Sequence, residues 1–333
     1  MKNLYKLMFM SSMIIGTLIA SSANSWLTMW MGLEINLLSI IPLMSNLKNK
    51  MESEAAMKYF ITQAMASAIF MLASMSILLN NEMMMSTKAP SIMLDLSILT
   101  KMGAAPLHFW FPEVMEGLSW INSLIMLTWQ KIAPMTILMN LPKTTLFMVT
   151  IILSSMIISG LMGINQTSMR KILSYSSINH IGWMLAAMLT NQTLWITYFI
   201  IYSLMTMNIT LMFKLMNISS TWQLINSMNQ SKTMKTMFSL NFLSLGGIPP
   251  FIGFFPKWIT INSLINEKMF TLTTIMILMT LMSLIFYMRI TFSSSMLTSN
   301  ESIISNKTNK QMIIISNFLI LSMLSMCPMM NLT

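Results

Sequence analysis

Apolar stretches of about 20 residues recur along the whole of this 333-residue chain, and each is long enough to cross the ~30 Å hydrocarbon layer of a bilayer as a helix. No water inside that layer can bond a backbone, so only helices and closed barrels traverse it. A barrel would show ~10-residue segments of alternating polarity; the runs here are continuous. Spans are expected at 4–22, 26–45, 57–79, 92–112, 119–139, 145–165, 172–190, 194–213, 236–265, 270–292 and 311–330. The fold class that follows is an all-α polytopic membrane protein of about eleven transmembrane helices. Its connections are too short for a water-soluble domain.

Lys2 and Lys6 ahead of an apolar run, with small residues from Ala20 to Ala23, imitate a signal peptide. The next span follows within a few residues, so the segment reads as the first membrane helix instead. No amphipathic, Arg-rich transit segment precedes it. The single Cys327 excludes a disulfide framework, a thiolate zinc site and an iron–sulfur cluster held by this chain alone. His108 and His180 are the only histidines and leave little for a metal cage. No dinucleotide fingerprint, phosphate loop or nucleophile motif is visible. If the chain serves a redox enzyme, the redox step belongs to another subunit.

Methionine occurs 45 times, whereas Val is confined to Val114 and Val149 and Arg to Arg170 and Arg289. Pliable thioethers could have a packing role, but that would not explain the loss of Val, Arg and Ala together. An AT-rich genome with an extra Met codon, as in the mitochondrial code of animals, explains all of these.

Placing the N-terminus on one side and alternating sides with each span sorts the cations. Lys2, Lys6, Lys48, Lys50, Lys58, Arg170, Lys171, Lys214, Lys232, Lys235, Arg289, Lys307 and Lys310 fall on the first side. The other side receives Lys88, Lys143 and Lys268. This is the positive-inside pattern, and it puts the N-terminus on the cytoplasmic side or its mitochondrial equivalent, the matrix. The net charge of +10 therefore reads as topology and contact with anionic lipid heads, not as nucleic-acid binding.

Two spans concentrate helix breakers. One runs Thr100-Lys101-Met102-Gly103-Ala104-Ala105-Pro106-Leu107-His108-Phe109-Trp110-Phe111-Pro112-Glu113; the other runs Leu245-Gly246-Gly247-Ile248-Pro249-Pro250-Phe251-Ile252-Gly253-Phe254-Phe255-Pro256-Lys257. With Gly103 on Gly247, Pro106 falls on Pro250, Phe111 on Phe255 and Pro112 on Pro256. Each is the fourth helix of a block of five. An odd number of spans per block inverts the second block relative to the first, and paired broken helices in such repeats point to an ion site. Proline kinks that serve packing alone are the plainer alternative. The expected blocks are 1–140 and 141–295, followed by a loop and one C-terminal helix in 296–333.

Glu34, Lys101, Lys131 and Lys257 sit inside spans of a chain that is only 8% charged. A charge at the bilayer centre costs about 2.5–3.5 kcal/mol on insertion scales, and residues kept there usually mark an ion path. Burial and a nearby carboxylate act on an ammonium in opposite senses, so a lysine held between them changes protonation when its partner moves. Glu34 is the natural counter-charge for Lys101, and Lys131 could carry a relay towards the second block. Snorkelling to the headgroups is the bland reading of each lysine, and a structural ion pair that of Glu34. His180 reads equally as a bridge between blocks or a satisfied structural group. His108 either donates to freed carbonyls or shuttles protons. Asp95 is expected at a helix start, where an acid suits the dipole, and Glu113 and Glu116 at the interface.

The segments Trp30-Met31-Gly32-Leu33-Glu34-Ile35-Asn36, Thr100 to Trp110, and Gly246 to Phe251 with Pro256-Lys257-Trp258 resemble the chain 2 family of mitochondrial NADH–ubiquinone oxidoreductase. The likeness covers essentially the whole chain and looks most like an insect form. It implies an antiporter-like subunit in the proton-pumping membrane arm of respiratory complex I, in the mitochondrial inner membrane. It further implies two inverted five-helix repeats. The family's ion-pair glutamate falls on Glu34, its lysine partner on Lys101, the connecting lysine on Lys131 and the terminal lysine on Lys257. His180 is a weaker carry-over, because its surrounding motif is short. NADH, FMN, iron–sulfur clusters and ubiquinone would belong to other subunits, with no cofactor in this chain. The implied partners are other membrane-arm subunits and lipids including cardiolipin. Two rivals remain: a stand-alone cation/proton antiporter, and a structural membrane subunit with an inactive channel.

Overall fold

The computed structural model describes residues 2–46, 49–83, 88–142, 144–228 and 232–296. The C-terminal helix expected at 311–330, Cys327, Lys48, Lys143, Lys307 and Lys310 lie outside the described residues. Among those described the chain is helical without strands. It divides into two compact units, the first reaching Ile151 and the second beginning at Ile152.

The first unit contains α1 (Lys2–Ser22), α2 (Trp26–Met44), α3 (Lys50–Met83), α4 (Lys88–Met102), α5 (Trp110–Gly117), α6 (Trp120–Leu127), α7 (Trp129–Asn140) and the start of α8 (Thr145–Ile164). Helix α1 packs on α2 and α7, α3 on α2, α4 and α5, and α7 also on α4 and α6. The α1–α2 hairpin turns at Ser25, whose hydroxyl accepts from the Thr28 amide at 3.3 Å and caps α2. Gly32 then lies so close to α1 that a Cβ would come within 2.6 Å of the Ala20 nitrogen. Small residues at such a crossing let membrane helices pack backbone to backbone.

The second unit holds the rest of α8 with α9 (Met169–Thr190), α10 (Gln192–Met216), α11 (Thr221–Met228), α12 (Lys232–Gly246), α13 (Phe254–Asn266) and α14 (Phe270–Met296). Helix α9 touches α10, α13 and α14, while α12 lies against α10 and α14. Nearly every α9 side chain from Ile172 to Met188 is buried, including Ser174, Ser176, Ser177, Asn179 and His180. That helix is too polar to face lipid and is wrapped by its neighbours. A lone bridge between Ser168 and Ser220 ties the loops that precede α9 and α11.

Among the described residues six helices are long and apolar enough to cross a membrane: α1, α2, α3, α8, α10 and α14. The two segments rich in breakers are interrupted, as expected. Helices α4 and α12 each run 15 residues and end in the same cap. Gly103 and Gly247 take φ of 75° and 77°. Gly103 N bonds Thr100 O at 3.1 Å and Ala104 N bonds Leu99 O at 3.0 Å. Gly247 N bonds Ser244 O at 3.0 Å and Ile248 N bonds Leu243 O at 3.4 Å. Both are Schellman caps, which need a left-handed residue just past the helix. The second halves restart alike, with Phe111 N on His108 O at 2.9 Å and Phe255 N on Ile252 O at 3.2 Å.

Three expectations need correction. The span at 119–139 is two helices, broken at Thr128 (φ −114°, ψ −73°). Thr128 bonds back to Leu124 O through both its amide and its hydroxyl, and Pro134 offers no N–H to the Gln130 carbonyl that it crowds. Helix α3 starts at Lys50 rather than 57, extended by a polar turn in which Glu54 meets Lys58 at 3.0 Å. Asp95 is not at a helix start, because α4 begins earlier, at Lys88. The short α11 was not anticipated.

Candidate functional site

In the first unit, α2, α4 and α7 carry Glu34, Lys101 and Lys131. Lys101 lies in the last turn of α4 and is 7% exposed. A snorkelling lysine would reach solvent; this one is enclosed. The carbonyl end of a helix carries partial negative charge, so α4 turns its favourable pole towards this cation. Gln63 Nε2 donates to Lys101 O at 3.3 Å and Trp110 Nε1 to Thr100 O at 3.1 Å. Lys101 O is thereby occupied, and Thr100 O gains a second donor beside the Gly103 amide.

Glu34 is partly buried on α2. Among the described residues no direct ion pair joins Glu34 to Lys101, whereas Lys58 pairs with Glu54 and Glu113. Lys131 is 1% exposed in the first turn of α7, and its Nζ stands 5.9 Å from the centroid of the Phe111 ring.

Two other ionisable groups of this unit are enclosed. His108 is buried, with Nδ1 3.2 Å from Pro106 O and its ring 4.5 Å from that of Phe109. Its ring thus lies against the backbone and side chain of the broken segment. Asp95, 3% exposed, accepts from the Thr144 hydroxyl at 2.9 Å. It is a second interior acid, which the sequence reading had placed at a helix start. Glu113 stays at the surface beside Lys58, 2.9 Å away.

In the second unit Lys257 is 5% exposed in α13. Its Nζ donates to Gly246 O at 2.8 Å, the terminal carbonyl of α12, and lies 5.9 Å from the Trp183 ring on α9. The side chain crosses Gly247 so closely that a Cβ there would sit 2.9 Å from Nζ. One turn before Trp183, His180 is 2% exposed; its Nδ1 is 2.9 Å from the Tyr198 hydroxyl and its ring 4.9 Å from that of Tyr202. Asn179 donates to Ser283 Oγ at 2.8 Å.

The sequence singled out none of Gln63, Tyr59, Gln130, Tyr198 or Tyr202. A polar side chain within an apolar span was the signal available, and Gln130 and Asn36 stood in plain view beside Lys131 and Glu34.

These features define a class: a multi-pass helical membrane protein whose interior holds lysines at helix interruptions. The model of the NADH:quinone oxidoreductase/Mrp antiporter transmembrane family matches residues 23–283. NADH-ubiquinone oxidoreductase chain 2 of Anopheles gambiae is 46% identical over 337 residues, covering 99% of this chain and 98% of that one. A chain of respiratory complex I from Thermus thermophilus with bound aureothin superposes with a TM-score of 0.84 at 20% identity, over 97% of this chain and 78% of that one. A chain of the Mrp complex from Dietzia sp. reaches a TM-score of 0.76 at 13% identity, over 90% of this chain and 61% of that one. At those two identities the likeness is one of fold. The chain belongs to the NADH-ubiquinone oxidoreductase chain 2 family.

Proposed function

We propose that this chain is an antiporter-like subunit in the membrane arm of proton-pumping NADH:ubiquinone oxidoreductase, and that it moves protons through Glu34, Lys101, Lys131 and Lys257. His180 is a further candidate for the relay. The observation that carries the reading is the burial of three lysine side chains, Lys101, Lys131 and Lys257, in spans where charge is scarce. Two of them, Lys101 and Lys257, sit at the carbonyl ends of half-helices. Groups held in this way exchange protons when their electrostatic surroundings change.

The architecture of this reading is about eleven membrane helices in two inverted repeats, 1–140 and 141–295, with a final helix within 296–333. The matching glycine caps of α4 and α12 support the repeat. The N-terminus lies in the matrix and the protein in the mitochondrial inner membrane. No redox centre resides in the chain; NADH, FMN, iron–sulfur clusters and ubiquinone belong to other subunits. Partners are those membrane-arm subunits and anionic lipids such as cardiolipin.

Quinone reduction elsewhere shifts the field felt by Glu34 and Lys101. The proton affinity of Lys101 changes, and a proton passes by way of Lys131 to Lys257 and out on the side away from the matrix. The test is Lys101→Met in the assembled complex, read as protons moved per NADH oxidised. A fall with assembly intact is expected; wild-type stoichiometry overturns the relay. Co-migration with a large NADH-oxidising assembly, rather than activity alone in liposomes, separates this reading from a stand-alone antiporter.

A further inference from the structure

Within the first unit, two amide side chains clasp the helix of Glu34 to the helix of Lys131. Asn36 Nδ2 donates to Gln130 Oε1 at 3.2 Å, and Gln130 Nε2 donates back to Asn36 Oδ1 at 3.0 Å. The Tyr59 hydroxyl donates to the same Gln130 Oε1 at 3.3 Å. Asn36 and Tyr59 are each only 3% exposed.

Each arm of this clasp ends beside an ionisable group. Gln130 adjoins Lys131 in the chain, and Asn36 lies on α2 just past Glu34. The Tyr59 ring packs on Trp110 at 5.8 Å between centroids, and Trp110 Nε1 bonds Thr100 O, next to Lys101. The break at Thr128 interrupts the hydrogen-bond ladder between α6 and α7. The first turn of α7 is therefore steadied from the side, by α2 and α3, rather than by a continuous helix below it. The amides of Asn36 and Gln130 do not titrate, so neither is a protonation site in the path. A reciprocal amide pair in an apolar interior instead admits one mutual geometry, since any other leaves buried polar atoms unpaired.

We propose that Asn36, Tyr59 and Gln130 are positioning residues that couple the placement of Glu34 to that of Lys131, so that a displacement at one is felt at the other. This rests on the relay reading above.

The test separates coupling from structural support. Removing all partners together leaves no orphaned polar atom, and such replacements can be nearly neutral for stability. The triple variant Asn36→Leu/Tyr59→Phe/Gln130→Leu is expected to assemble with near wild-type thermal stability. Protons moved per NADH oxidised should still fall, by roughly twofold or more. The exchanged pair Asn36→Gln/Gln130→Asn restores the amide–amide bonds and should recover pumping. An assembled triple variant with wild-type stoichiometry overturns the proposal, as does an assembled exchanged pair that recovers nothing. Should the triple variant fail to assemble, Tyr59→Phe alone decides, and unchanged stoichiometry there overturns it. Lys131→Met, measured alongside, distinguishes the two levels. If Lys131→Met pumps normally, the relay reading itself fails; if it does not while the triple variant does, only the clasp is wrong.

Discussion

Lys257 reaches back across the interruption of its own span and donates to Gly246 O at 2.8 Å, so the cation of the second half-helix closes the carbonyl end of the first. Gly247 makes this possible. Its left-handed φ ends α12, and its missing side chain leaves the channel in which the lysine stem lies. A buried carbonyl at a helix end has lost its helical donor, and here an ammonium takes the donor's place. In the first unit Lys101 occupies the corresponding last turn of α4. The breaks thus create the polar surroundings in which an interior lysine can persist.

Lys257→Met removes that donor and leaves Gly246 O unpaired, at a cost of about 1–3 kcal/mol. Lys257→Arg keeps a donor but cannot give up its proton. Thermal stability of the membrane arm should therefore fall in the methionine variant and be largely kept in the arginine variant, while both lose proton movement. Pumping retained by Lys257→Arg would show that this position need not deprotonate.

Gly247→Ala forces a side chain into a left-handed backbone, at roughly 1–2 kcal/mol, and sets its Cβ 2.9 Å from Lys257 Nζ. Gly103→Ala incurs the same backbone strain, but the added carbon meets Phe111 Cβ at 3.1 Å rather than an ammonium. Both variants should melt earlier. Only Gly247→Ala should, in addition, reduce proton translocation per turnover, and equal effects on pumping would contradict the role given to the glycine channel.

The breaks at Gly103 and Gly247 were legible because glycine and proline act locally and leave their mark in sequence. The burial of Lys101, Lys131 and Lys257 was legible too, from the scarcity of charge in the spans. The break at Thr128 was not, since threonine carries no such signature and Pro134 lies within α7. Asp95 was misplaced because apolar patterning locates the start of a helix only to within a turn. The Asn36–Gln130 pair is separated by 94 positions, and a contact of that range is a product of tertiary packing. The Glu34–Lys101 relation was foreseen as a pair, whereas among the described residues no salt bridge joins the two.

Thr144→Val tests the second interior acid. The substitution keeps the shape but withdraws the donor that Asp95 accepts from at 2.9 Å. A hydrogen bond to a charged group contributes about 1.5–3 kcal/mol, so a measurable drop in melting temperature is expected. Asp95→Asn in the same background removes the unpaired carboxylate and should restore part of the loss. A melting temperature unmoved by Thr144→Val would mean that the carboxyl finds its support elsewhere.

Lys58 provides the contrast that gives burial its meaning. It pairs with Glu54 at 3.0 Å and Glu113 at 2.9 Å, but the side chains are 42%, 62% and 57% exposed. Ion pairs in such surroundings are screened by solvent and contribute little. Lys58→Met should therefore leave assembly, NADH oxidation and protons moved per turnover at wild-type values, although it breaks two salt bridges where Lys101→Met breaks none. The count of ionic contacts would favour Lys58, and the degree of enclosure favours Lys101. Loss of pumping in an assembled Lys58→Met complex would remove enclosure as the criterion, and with it the physical reason for choosing Lys101, Lys131 and Lys257.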